Sequence, residues 1–148
     1  MWYFQLPGIY EMSISADDCA AVENLWRDRS PGLSIEPDDM AQIRAMLSRP
    51  EVFQAAIGYY RNTVNASTQS DELNDAQLGV TYGTLGTRVL FIAGADDGLF
   101  LPEQFHEGAA YCSAECRVEV LEGCGHFLHL ERPAEVNRLI LEFIGPAR

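Results

Sequence analysis

Residues 88–94, "RVLFIAG", place the first constraint on the fold. Val89, Leu90, Phe91, Ile92 and Ala93 follow one another without the alternation of a half-solvated strand, and Gly94 stops the run. It is far shorter than the ~20 residues of a membrane-spanning helix. Branched and aromatic side chains closed by a glycine favour a strand buried on both faces, the kind that parallel sheets contain. Such a strand is not stable at a surface. The rest of the chain must bring helices to both faces and another strand to its edge.

The residues after Gly94 supply part of that cover. A loop, "ADDGLFL", leads to a predicted helix starting near Pro102. "CRVEVLEG" then alternates, with Val118 and Val120 on one side and Arg117 and Glu119 on the other, as a strand with one wetter face does. The loop "EGCGHFLHLERP" comes next. In the final helix, "PAEVNRLILEFI", Val136, Leu139, Ile140, Phe143 and Ile144 share one face. Strand, helix, strand, helix is the βαβα unit of a parallel sheet, and the fold class is α/β. Two strands alone make a weak sheet. The expectation is therefore a partner chain completing the sheet, or a homo-oligomer formed through the exposed edge.

Residues 1–64 follow a helical period instead. Ser15 with Asp17 and Asp18 reads as a helix start, followed by Ala21, Leu25 and Trp26. Pro37 occupies a first helical position, and Met40, Ile43, Met46 and Leu47 trace one face. Pro50 opens a third helix whose apolar side holds Val52, Phe53, Ala56, Ile57, Tyr60 and Val64. Residues 65–86 are polar and rich in turn formers, a connection with one short helix. The chain thus divides into a helical segment and connection, 1–86, and an α/β segment, 87–148. No internal repeat is visible.

Charge narrows the partners. The net charge of the 148 residues is −12, and all ten positive side chains are Arg. Such a chain repels phosphate backbones and anionic bilayers, so neither nucleic acid nor a membrane is expected as a partner. The start, "MWYFQLPGIYEM", has no basic n-region and no small-residue cleavage site, so a soluble cytoplasmic protein is expected. The cysteines are Cys19, Cys112, Cys116 and Cys124. A chain this rich in core residues does not need disulfide staples, and the spacing lacks the paired C-x2-C of zinc knuckles, so buried free thiols are expected. No cofactor or metal is expected.

In open parallel sheets, ligands bind beyond the carboxyl ends of the strands. Asp96 and Asp97 follow the first strand here, and His126 follows the second. A carboxylate beside an imidazole is the orienting half of a nucleophile–base–acid triad: the acid fixes the tautomer and the histidine takes the proton. Asp96, His129 and Glu131 are secondary candidates. Asp96 reads as a neighbour that tunes or caps, and His129 as a surface or supporting group. Glu131 reads as a brace for the loop or a cap for the last helix. His126, His129 and Glu131 also form a weaker metal-like pattern. His106 reads as a helix-surface residue.

The segments "LFIAGADDGLFLP" and "LEGCGHFLHLERPAEVNRLILEFI" resemble the last two strand–loop–helix units of α/β-hydrolase-fold enzymes. The family's Gly-x-x-Asp corresponds to Gly94-Ala95-Asp96-Asp97. Its Gly-x-Gly-His-x-x-x-x-Glu-x-Pro corresponds to Gly123, Gly125, His126, Glu131 and Pro133. The resemblance implies that Asp97 is the triad acid and His126 the general base. At the front, "WYFQLPGIYE" resembles the lead-in to the helical cap of epoxide hydrolases. "GYYRN" is similar to the cap segment in which those enzymes carry a tyrosine that hydrogen-bonds the epoxide oxygen. The matching, substrate-binding position is Tyr60, although its place on the apolar stripe also suits a plain core tyrosine.

The departure from the family pattern is the nucleophile. No Gly-x-Ser-x-Gly exists in the chain. Gly94-Ala95-Asp96-Asp97-Gly98 formally matches Gly-x-Asp-x-Gly. But Leu99 to Pro102 separate it from the next helix, and the family places its nucleophile before the cap. The resemblance implies a fragment of an epoxide hydrolase-like enzyme lacking the nucleophile half. The parent would hydrolyse a small-molecule epoxide through a covalent intermediate. A carboxylesterase or dehalogenase-like hydrolase acting on an ester or halide is the second reading. A non-catalytic remnant or module completed by another chain is the third.

Overall fold

In a computed structural model, the described residues are 5–6, 8, 12, 20–65 and 69–145. The predicted helix start at Ser15, Asp17 and Asp18 lies outside them, as do Trp2, Phe4, Cys19 and the side chain of Val64. The chain forms two compact units, Met1–Leu25 with Ile35–Thr81, and Trp26–Ser34 with Tyr82–Arg148.

The first unit is helical. It holds the first six residues of α1 (Ala20–Arg29), then α2 (Pro37–Leu47), α3 (Pro50–Val64) and α4 (Asp71–Thr81). Pro37 and Pro50 stand at helix starts, where a fixed φ helps and a missing N–H costs nothing. Phe53 and Ile57, one turn apart on α3, form a buried centre against which Ala21, Val22 and Leu47 pack. A half-buried Arg44–Glu23 ion pair at 2.6 Å ties α2 to α1. The α3 stripe is narrower than its sequence pattern: among the described residues, α1 and the end of α2 cover it at Phe53 and Ile57. Ala56 is exposed, and Tyr60 is 37% exposed. The connection at 65–86 carries more helix than expected, since α4 runs for eleven residues.

The second unit carries the predicted βαβα order. β1 (Val89–Gly94) leads to α5 (Pro102–Gly108) and a 3-10 turn at Ala109–Tyr111. β2 (Cys116–Leu121) leads to the single turn α6 (Leu128–Glu131) and to α7 (Pro133–Ile144). β1 pairs with β2 in parallel, from Val89 opposite Cys116 to Gly94 opposite Leu121. The described residues form a sheet of these two strands.

Both faces of β1 are covered, which explains its unbroken apolar run. Leu90 and Ile92 pack on the core of Leu121, Cys124, Val136 and Leu139. Phe91 meets Phe105 of α5 edge-on, with ring centroids 6.0 Å apart. On α7, Val136 and Leu139 are buried but Ile140 and Ile144 are exposed, because two strands cover only part of the predicted face. Phe143 is half-buried, and the Arg88 guanidinium lies 4.6 Å above its ring.

Trp26–Ser34, which the sequence period assigns to the helical segment, belongs to the second unit. Trp26 packs on Phe127 with ring centroids 4.8 Å apart. Ser30, Pro31 and Gly32 read as punctuation after a helix and carry no period from which that packing could be inferred.

Candidate active site

The loops after β1 and β2 leave the same end of the sheet, because the register closes with Gly94 opposite Leu121. The ladder continues past the strands. The Ala95 N–H donates to the Leu121 carbonyl at 3.0 Å, and the Asp96 N–H to the Cys124 carbonyl at 2.8 Å. The acid loop is therefore fastened to the histidine loop before any side chain meets. Gly123, at φ +68°, turns the chain out of β2 in the left-handed region that glycine adopts without strain.

Asp97 Oδ2 lies 3.0 Å from His126 Nδ1. Asp97 Oδ1 accepts from the backbone N–H groups of Leu99, at 2.7 Å, and Phe100, at 3.2 Å. The aspartate side chain is 5% exposed and the imidazole 27%. An ionised carboxylate only accepts, so the proton of a neutral imidazole sits on Nδ1 and Nε2 keeps its lone pair. Phe100 and Phe127 flank the ring at centroid distances of 5.8 and 5.1 Å. The contact fixes the orientation of the imidazole against a buried carboxylate.

The remaining sequence candidates fall around this pair. Glu131 Oε1 accepts from the Gly125 N–H at 2.8 Å, so Glu131 holds the histidine loop from its downstream side. His129 and His106 are exposed on α6 and α5. Asp96 is exposed, and Leu99, Phe100 and Leu101 stand between its loop and α5, so the strand does not run straight into a helix as a nucleophile elbow does. Tyr60 belongs to the first unit, on α3, where its carbonyl accepts from Gln5 Nε2 at 3.0 Å. Among the described residues, no group of three or more His, Cys, Asp or Glu is placed to hold a metal ion.

Cys112, Cys116 and Cys124 are free thiols. Cys124 is buried inside the histidine loop, and burial pushes its thiol above the ordinary 9.0. Burial and the neighbouring Cys112 thiol push Cys116 in the same direction.

Sequence reasoning missed Arg29 and Ser30. The His126 N–H donates to the Arg29 carbonyl at 2.9 Å, and the Phe127 N–H to Ser30 Oγ at 2.7 Å. A serine before Pro-Gly at a helix end is the one sequence signal here, and it reads as a turn.

A carboxylate after one parallel strand, paired with a histidine after the next, defines a class of protein. The chain matches the alpha/beta hydrolase family over residues 7–139 and belongs to that family. Epoxide hydrolase A of Mycobacterium tuberculosis is 27% identical over 170 residues, which cover 96% of this chain and 50% of that protein. Epoxide hydrolase 4 of Homo sapiens is 22% identical over 148 residues, covering 97% of this chain and 38% of that protein. The Cif epoxide hydrolase from Acinetobacter nosocomialis shares the fold, with a TM-score of 0.75 at 20% identity over 97% of this chain and 44% of that one. The chain spans half or less of the length of these relatives.

Proposed function

We propose that the chain carries the acid–base half of an epoxide hydrolase-like site. The observation that supports this reading best is the Asp97–His126 contact at the shared end of two parallel strands. The nucleophile is supplied from outside residues 1–148 and opens the epoxide to form a covalent ester. His126 Nε2 then takes a proton from water as the water oxygen attacks the ester carbon, and Asp97 stabilises the imidazolium. The tetrahedral intermediate collapses by breaking the ester C–O bond, and the leaving alkoxide takes the proton back from His126 to depart as the diol. Tyr60 is proposed, on the sequence resemblance, as the phenol that donates to the epoxide oxygen as it becomes an alkoxide. Likeness to epoxide hydrolases along nearly the whole chain supports the choice of substrate.

The test joins this chain behind the front half of Epoxide hydrolase A from Mycobacterium tuberculosis and offers a styrene-type epoxide and an aryl ester. The 148-residue chain alone is expected to turn over neither. The joined protein is expected to hydrolyse the epoxide. Its His126→Gln variant is expected to lose about 10²–10⁴-fold in kcat and to gain the mass of one epoxide as the trapped ester. Ester turnover without epoxide turnover would move the assignment to an esterase. Full activity in His126→Gln would end the reading.

A further inference from the structure

We infer that Ser30 is a positioning residue for the proposed base, His126, and that Arg29 and Ser30 together form a clasp between the acid loop and the histidine loop. This rests on the reading of His126 as the base oriented by Asp97.

Ser30 is the one polar or charged residue fully buried among the described residues, at 0% exposure. Its backbone is already committed: the Ser30 N–H donates to the Trp26 carbonyl at 2.9 Å, and its carbonyl accepts from the Leu33 N–H at 3.0 Å. Its hydroxyl oxygen accepts from the Phe127 N–H at 2.7 Å, directly after His126. The preceding carbonyl, that of Arg29, accepts twice. One donor is the His126 N–H at 2.9 Å; the other is the N–H of Gly98 at 3.2 Å, the residue after Asp97. Two consecutive residues thus hold the backbone beside the acid and the backbone of the histidine itself.

The packing leaves this clasp no slack. A Cβ on Gly125 would overlap Ser30 Cα, and a Cβ on Gly98 would overlap the Asp28 carbonyl. A proline at position 31 disfavours the helical region for Ser30, so the helix ends here. Complete burial, with Oγ committed to Phe127, removes Ser30 as a nucleophile, since no substrate carbon reaches it. What Ser30 controls is where the His126 main chain sits, and so where Nε2 lies relative to water and Asp97. A displacement of about 1 Å at such a group costs on the order of 10²-fold in rate. Removing the hydroxyl strands the Phe127 N–H without its acceptor, which is worse than never having had the bond.

The test uses the 148-residue chain with 15N-labelled backbone and histidine. Two-bond 1H–15N spectra read the His126 tautomer, and amide exchange reads the Phe127 bond. Wild type is expected to show the Nδ1–H tautomer and a protected Phe127 amide. In Ser30→Ala, exchange at Phe127 is expected to rise at least tenfold and His126 to show mixed tautomers, while Val136 and Leu139 in α7 keep wild-type rates. Ser30→Cys, which adds no methyl group and keeps a weaker acceptor at the same position, is expected to fall between wild type and Ser30→Ala in both signals. An unchanged Phe127 rate with an unchanged His126 signal overturns the inference. So does equal acceleration at Val136 and Leu139, which would make Ser30 an ordinary core residue. Should Ser30→Ala not fold, the wild-type Phe127 amide decides: exchange as fast as at a solvent-exposed amide overturns the clasp. A wild-type His126 on the Nε2–H tautomer, indifferent to Asp97→Asn, sinks the base assignment instead and leaves the Phe127 readout standing for the clasp.

Discussion

Asp97 uses its two oxygens for different tasks, one turned to His126 and the other to the backbone of its own loop. Asp97→Asn separates them. An amide keeping its oxygen on Leu99 and Phe100 presents its NH2 to the imidazole, which must then accept at Nδ1 and carry its proton on Nε2. The joined enzyme is expected to lose on the order of 10⁴-fold in kcat with its structure retained, checked by steady-state kinetics beside circular dichroism. Cys124 gives a pH prediction. Its thiol is raised in the folded state, so above pH 9.0 the unfolded thiol ionises while the folded one stays protonated. Stability is therefore complete below that value and falls as pH rises beyond it. Cys124→Ala is expected to cost about 1 kcal/mol at neutral pH and to flatten the alkaline decline, read from urea unfolding at pH 7 and pH 10. Asp97 and His126 were legible because each sits in a short contiguous pattern after a strand. Ser30 was not, because its hydrogen bond joins residues 97 positions apart and uses a side chain that is common in turns.

At the scale of elements, the signals that survived folding are those that act locally. Pro37, Pro50, Pro102 and Pro133 each mark a helix start in the structure as they do in the sequence. At α5, Gln104 reaches back to accept from the Leu101 N–H at 2.9 Å, which fixes where the loop after Asp97 ends. Less legible was how much of each apolar stripe would be used. That depends on what lies opposite, and Ala56, Ile140 and Ile144 find no cover among the described residues. The contact between the histidine loop and Ser30 makes its own prediction. Gly125→Ala forces a methyl group onto the Ser30 backbone. It is expected to destabilise the chain by about 1–3 kcal/mol in urea titrations, as overpacking does.

At the scale of the whole molecule, the two-stranded sheet of the described residues leaves both strands at an edge. Ile140, Leu141 and Ile144 add an exposed apolar flank along α7. Unpaired strand edges and exposed apolar side chains favour association. Sedimentation of the isolated chain is expected to show species larger than its 16.5 kDa monomer. Ile144→Glu should shift the distribution downward. A stable, fully folded monomer in wild type would mean the sheet needs no further strands.

The chain passes between its two compact units after Leu25, after Ser34 and again after Thr81. The second unit is therefore not one continuous stretch of gene. A shorter coding sequence beginning at residue 87 would still spell out Asp97 and His126, yet it would omit the dipeptide that fastens both loops. Recombination at the apparent boundary between helices and strands would transmit Asp97, His126 and the backbone bonds from Ala95 and Asp96, while discarding the Arg29 and Ser30 bonds to Gly98, His126 and Phe127.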